Sequence, residues 1–426
     1  MSIFIQNITA VNADGIQKNV DILIEGERIT EMGMGLARNA ARVIDGAGLT
    51  AFPGFLEMHC HLRDPGLVHK EDIVTGTRAA AAGGYTAVCC MPNTKPVTDS
   101  AEVVRYIIEK AKKSGFAEVL PVAAVTRGMR GEELTDFAGL LKAGAVAFSD
   151  DGMPVAEDEI ILAAMRRAKE LHALLMLHEE DLAKRGNGVV HDGENARKAG
   201  IAGIPRAIEE TMTARDIFYA EKLGVPIHIC HVSTAGSVEL VRRAKANGVP
   251  VTCETGPHYF SITDEKILDR NPNAKVNPPL REKEDMLAVR QGIADGTIDV
   301  IATDHAPHSE EEKAREIEDA PFGMIGFETA LPLTVTNLLC PGIIGLTDIA
   351  RLLSKRPHEL LGIAGGELKK NVCADITICD TNEKFVYNKD MIASKAKNSP
   401  FLGMELRGRV CYTIRKGKFT YDRQAD

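Results

Sequence analysis

No Cys-x-x-Cys pair occurs in the chain, although it holds nine cysteines: Cys60, Cys89, Cys90, Cys230, Cys253, Cys340, Cys373, Cys379 and Cys411. An odd number without regular spacing argues against a disulfide framework and fits reduced thiols. Cys60, Cys89, Cys90, Cys230 and Cys253 lie in or beside apolar runs, where cysteine packs as a small hydrophobe. A long basic block is also missing. Acidic residues outnumber basic ones, 60 to 51, for a net charge of −9, which argues against a broad nucleic-acid footprint. No run reaches the ~18 charge-free apolar residues that a membrane helix requires. The opening MSIFIQNITAVNADG has neither a basic leader-like region nor a cleavage-like site, so the expected location is the cytoplasm.

What is present is enough for a large core: 426 residues, 44% of them hydrophobic. Two textures alternate along the chain. The first fifty residues read as short strands and turns, such as NVDILIEGERITEMG. The last sixty read the same way, as in RGRVCYTIRKGKFTYD. Neither end can build a comfortable core alone, so one small β-sandwich-like domain is expected from residues 1–52 plus 366–426, with the chain ends close together. Between them, helical patterns repeatedly lead into short apolar runs. DIVTGTRAAAAGG precedes YTAVCC, RDIFYAEKLG precedes VPIHIC, and KEDMLAVRQGIADG precedes TIDVIA. Continuous Val/Ile/Ala runs are strands covered on both faces. About eight such units over residues 53–365 predict an α/β fold, a (β/α)8 TIM-like barrel. A doubly wound open sheet is the alternative.

Polar residues fall where the apolar runs stop: His59 and His61, Asn93, Asp150 and Asp151, His178, His228 and His231, Asn277, Asp304 and His305. In a barrel these ends share one face, where active sites are built. His59 and His61 are two apart, so on a strand both rings face one way and Cys60 the other. Alone the pair is also what a polar strand edge looks like. Joined by Asp151, His178 and His231, it makes five donors, more than one tetrahedral ion needs. That suits two ions sharing a bridge, with Asp151 as the carboxylate between them and a water activated there. Imidazole with carboxylate suits Zn2+ better than magnesium.

Asp304 stands where it can touch a metal and move a proton, or else cap the next helical turn. Arg63 offers a planar fork for a carboxylate, with Asn93 and His308 as further donors; the alternative for each is a solvated loop residue. Residues 310–318, EEEKAREIE, read as a charged solvated stretch, and PFGMIGFET just beyond as a clamp or lid. His69, His172, His191 and His358 are expected to be surface or satisfied residues, while His228 and His258 stay undecided.

HCHLRDPG, MPNTKP, FSDDG, MLHEE, ICHVST, ETGPHYF, KVNPPLR and ATDHAPHSEEEK together resemble the amidohydrolase superfamily, and within it the longer-chain dihydroorotases. The resemblance spans essentially the whole chain. It implies that His59 and His61 bind one zinc, that His178 and His231 bind a second, and that Asp151 bridges them, with Asp304 as acid–base residue and further metal contact. It also implies a metal-bridging hydroxide as nucleophile. Arg63, Asn93 and His308 would hold the substrate carboxylate, Asn277 the ring, and Phe322 and Gly323 would supply backbone contacts. The implied reaction interconverts N-carbamoyl-L-aspartate and L-dihydroorotate. There are departures: Glu57 replaces a usual aspartate, Asp64 a usual glutamate, and Cys60 a usual valine or alanine. No lysine is available near residue 150 to serve as a carboxylated bridge, and choosing Asp151 over Asp150 rests on the resemblance. Two rivals stand beside this. One is a hydantoinase-, dihydropyrimidinase- or allantoinase-like cyclic amidase acting on a neutral ring. The other is an inactive barrel serving as an assembly subunit. A small-molecule substrate is expected, with no nucleic acid and no membrane; a homodimer is a family expectation, and association with aspartate transcarbamoylase stays open.

Overall fold

The computed structural model describes residues 2–36 and 38–425. Residues 1, 37 and 426, all within the expected composite end domain, lie outside the described residues. Eight parallel strands form the centre: β1 (Phe55–Cys60), β2 (Tyr85–Cys90), β3 (Glu118–Ala123), β4 (Ala147–Phe148), β5 (Leu174–Leu177), β6 (Ile227–Ile229), β7 (Val251–Thr255) and β8 (Val300–Ile301). They are hydrogen-bonded in chain order. A doubly wound sheet would reverse its order partway. Beyond β8 the chain returns to β1: Cys60 bridges His305, and the His61 N–H donates to the His305 carbonyl at 2.9 Å. The barrel expectation is borne out.

The local reasons are readable. All six residues of β1, FLEMHC, are buried, as a strand covered on both faces demands. Helix Ile73–Ala82 starts at Asp72, whose carboxylate caps the N–H groups of Val74 and Thr75. Helix Ala101–Ser114 starts at Ser100 and ends at Gly115, at φ 75°. That left-handed stop favours glycine. Its buried face is Val103, Val104, Ile107 and Ala111. Val103, Val104 and Ile107 so buried contribute about 1.5–3 kcal/mol each.

The two chain ends combine into one eight-stranded, mostly antiparallel sheet. N-terminal strand Thr50–Pro53 pairs with C-terminal strand Ile376–Val386, Ala51 opposite Ile378. Ile3, Ile5, Ile22, Ile24, Ile376, Ile378 and Ile414 form a separate core there. Among the described residues no helix is long and apolar enough to cross a membrane.

Three details differ from expectation. Asn277 does not end a strand; it follows the 3-10 turn Pro272–Ala274 on the connection after β7. The excursion between β5 and β6 carries a two-stranded pair, Val190–His191 with Gly203–Ile204, too short for any apolar run to announce. In the charged stretch after Asp304 only Glu310–Lys313 is α-helical, and Lys313 is buried rather than solvated. Its ammonium donates to the carbonyls of Pro272 and Pro321 at 2.9 and 2.8 Å, which offsets the loss of water.

Glu57 secures the closure. Its carboxyl group accepts the His59 N–H at 2.8 Å and the Thr303 N–H at 3.0 Å, tying β1 to the second residue beyond β8. Burial pushes its carboxyl up to about 8, against the pull of those hydrogen bonds. Glu57→Ala is expected to cost about 2–5 kcal/mol, because two buried donors lose their acceptor. Denaturant unfolding of metal-stripped protein measures this; an unchanged midpoint would show that the closure does not depend on Glu57.

Candidate active site

The strand ends deliver four imidazoles to one carboxylate. Asp151 Oδ1 lies 3.3 Å from His59 Nε2, 3.2 Å from His178 Nδ1 and 3.4 Å from His231 Nε2, and its Oδ2 lies 3.5 Å from His61 Nε2. Two sets, His59–His61–Asp151 and Asp151–His178–His231, each hold their ligand atoms within 4.8 Å of one another. Asp151 belongs to both. Asp150 does not join them: it faces away and accepts from the Val125 and Thr126 backbone.

What lies behind each ring fixes which nitrogen faces the cluster. His59 Nδ1 is 2.7 Å from Glu254, His61 Nδ1 is 2.9 Å from the Asn93 oxygen, and His178 Nε2 is 3.1 Å from Glu180. The carboxylates behind His59 and His178 can only accept, so when those two rings are neutral the proton sits behind and a lone pair faces Asp151. His59 Nε2 is left facing Asp151 Oδ1. His178 Nδ1 and His231 Nε2 approach to 2.9 Å. Two ring nitrogens so close share a proton, or a cation takes that proton's place.

Electrostatics say the same. Burial alone would depress His59, but the Asp151 charge and its hydrogen bond raise it well above the ordinary range. His178 likewise rises to about 10, Asp151 and Glu180 overcoming burial. The cluster therefore favours positive charge, and its nitrogen-and-carboxylate donors fit zinc-like ions rather than all-oxygen ones. His59, His61, Asp151, His178 and His231 could hold such ions.

Asp304 Oδ1 is 2.9 Å from His61 Nε2 and 3.7 Å from His59 Nε2. Burial would raise its carboxyl, but the His61 hydrogen bond and the His59 charge hold it below the usual range. Arg63, His231 and Asp304 are all left-handed, with φ of 59°, 37° and 47°. Such backbone costs about 1–3 kcal/mol per residue and concentrates where function demands a fixed side-chain direction.

Arg63 lies beside this cluster and is nearly buried, 9% exposed. Its Nε donates to the Pro307 carbonyl at 3.2 Å, and one terminal nitrogen lies 3.4 Å from His308 Nε2. Among the described residues no carboxylate pairs with it. His308 is pushed down to about 2 by burial and the Arg63 and Lys70 charges, so its ring is neutral. Lys70 donates to Nδ1 at 3.2 Å, which leaves the proton on Nε2, 2.8 Å from the Phe322 carbonyl. Asn277 donates to Glu180 at 2.8 Å. The Gly323 N–H is spent on the Lys275 carbonyl at 2.9 Å.

His228 and His258, undecided from sequence, are both buried. His228 bonds Thr252 and Glu254 behind His59. His258 is depressed to about 4 by burial. Glu254, Glu180 and Lys70 went unremarked in the sequence. Glu254 ends the run VTCET and Glu180 follows His178 in MLHEE, so a strand-end position was the available signal; Lys70 had none. A cavity of about 740 Å³ beside Arg78, Phe385 and Arg409 lies elsewhere and is lined by none of these groups.

Residues 48–237 match a family described as dihydro-orotase-like. The chain is 48% identical over 425 residues to the dihydroorotase of Geotalea daltonii, covering 99% of this chain and 100% of that one. It is 49% identical over 406 residues to the dihydroorotase of Acetivibrio thermocellus, covering 95% of each. A solved structure of L-hydantoinase (dihydropyrimidinase) from Arthrobacter aurescens matches with a TM-score of 0.89 at 25% identity, covering 99% of this chain and 96% of that one.

Asp151→Ala is expected to abolish tight metal binding at both sets, whereas Glu180→Gln weakens it by about 10–100-fold. Metal counted after dialysis separates the two; tight retention at either set in Asp151→Ala would contradict a shared ligand.

Proposed function

The chain belongs to the dihydroorotase family, and from that premise we propose that it is a cyclic amidohydrolase interconverting N-carbamoyl-L-aspartate and L-dihydroorotate with two zinc ions. The observation that carries the choice of substrate is Arg63, a nearly buried guanidinium with a carbonyl partner and no carboxylate partner among the described residues. A carboxylate on the substrate would pair it bidentately. A neutral ring would leave that charge unpaired in a desolvated place, which penalises hydantoin or dihydrouracil.

Two divalent cations held by His59, His61, Asp151, His178 and His231 would supply Lewis-acid polarisation and water activation. The remaining work belongs to the chain. Arg63 orients the substrate carboxylate, with the neutral His308 and Asn93 beside it. In hydrolysis, water adds to the ring amide carbon and the C–N bond breaks. The Asp304 carboxylate takes the proton from the attacking water and delivers it to the departing nitrogen. Ring closure runs the same transfers in reverse. Glu254, Glu180 and Asn93 orient the rings of His59, His178 and His61 from behind.

Asp304→Asn is expected to lower kcat about 10²–10⁴-fold while metal stays bound at the paired histidines. Arg63→Ala is expected to act mainly on KM for L-dihydroorotate. Assays beside dihydrouracil, hydantoin and allantoin decide the substrate: equal or faster turnover of a neutral ring would replace this reading with the hydantoinase-like one.

A further inference from the structure

The C-terminal part of the chain does more than complete the end sheet. After the turn Lys389–Met391, residues 392–401, IASKAKNSPF, run back to the active-site face of the barrel. The N–H groups of Ala393 and Ser394 donate to Glu328 at 2.9 and 3.2 Å, the Ser394 hydroxyl donates to Glu71, and Lys395 pairs with Asp72 at 2.6 Å. The strap then buries Asn398, 4% exposed.

Asn398 exhausts its side chain on two loops at once. Its amide nitrogen donates to the Ala306 and Gly323 carbonyls, both at 3.1 Å. Its amide oxygen accepts the His308 N–H at 3.2 Å. Its backbone carbonyl accepts the Ile325 N–H at 3.0 Å. One buried side chain therefore fixes the segment carrying His308 against the segment carrying Phe322 and Gly323. It touches none of the groups around Asp151.

We propose that Asn398 is a positioning residue for substrate binding: it holds His308 and the Phe322–Gly323 loop in register with Arg63, so a residue of the C-terminal strap completes the carboxylate pocket. This rests on the reading of Arg63 and His308 as the carboxylate's partners. Asn398→Asp keeps the size and the acceptor but turns a carboxylate oxygen toward two carbonyls; Asn398→Ala removes all three side-chain bonds.

The test is steady-state kinetics on zinc-loaded full-length Asn398→Asp and Asn398→Ala, with metal content and thermal melting measured on the same samples. The expected result is a KM for L-dihydroorotate raised about tenfold or more, with kcat within about threefold of the parent and metal content unchanged. A KM unmoved in both variants overturns the proposal. So does a joint fall of kcat and bound metal, or loss of fold in both, each of which makes Asn398 a structural staple. Arg63→Ala is the control. If it raises KM while the Asn398 variants do not, only this proposal fails. If it leaves KM unmoved, the carboxylate reading fails and takes this proposal with it.

Discussion

Four buried imidazoles converge on one carboxylate, and the rest of the architecture answers to that constraint. Ring nitrogens such as His178 Nδ1 and His231 Nε2, 2.9 Å apart, need a proton or another cation between them. Low local dielectric sharpens the demand, because water cannot screen the contact. Asp151 answers part of it by standing between the two histidine sets, its Oδ1 within 3.4 Å of His59, His178 and His231 and its Oδ2 3.5 Å from His61. Glu254, Glu180 and Asn93 answer another part by fixing the rings from behind.

The barrel is the means of bringing these groups together. His59, His178 and Asp304 are far apart in sequence and meet only because parallel strands end on one face. Closure matters to the chemistry for that reason: Glu57 links the backbone of His59 to that of Thr303, so the first and last strand ends hold register where His61 meets Asp304. Left-handed backbone at Arg63, His231 and Asp304 is a local cost that a rigid scaffold can bear. The strap between the end sheet's C-terminal strands extends the same scaffold to the loops that carry His308 and Gly323.

Much of this was legible in the sequence because strand period and strand ends are local signals. His59 and His61 share a face by simple alternation, and HCHLRDPG raised the question of a metal from eight residues. The split end domain followed from two short β-textured stretches, neither able to bury itself. Other features depend on three-dimensional contact. Alternation separates Asp150 from Asp151 without saying which points inward. Asn277 looked like a strand end because it closes AKVN, but its segment is a turn and loop. Lys313 sat in a run of charges; only the surrounding carbonyls of Pro272 and Pro321 explain its burial. Lys70, which sets the His308 tautomer, lies in a stretch with no distinguishing pattern.

The central claim is that two cations share Asp151 and that neither half suffices. The most direct measurement is stepwise zinc addition to metal-stripped protein, following bound metal and L-dihydroorotate hydrolysis in the same samples. The account predicts saturation at two equivalents per chain, with turnover rising as the second binds. Full turnover at one equivalent, or in metal-free protein, would contradict it.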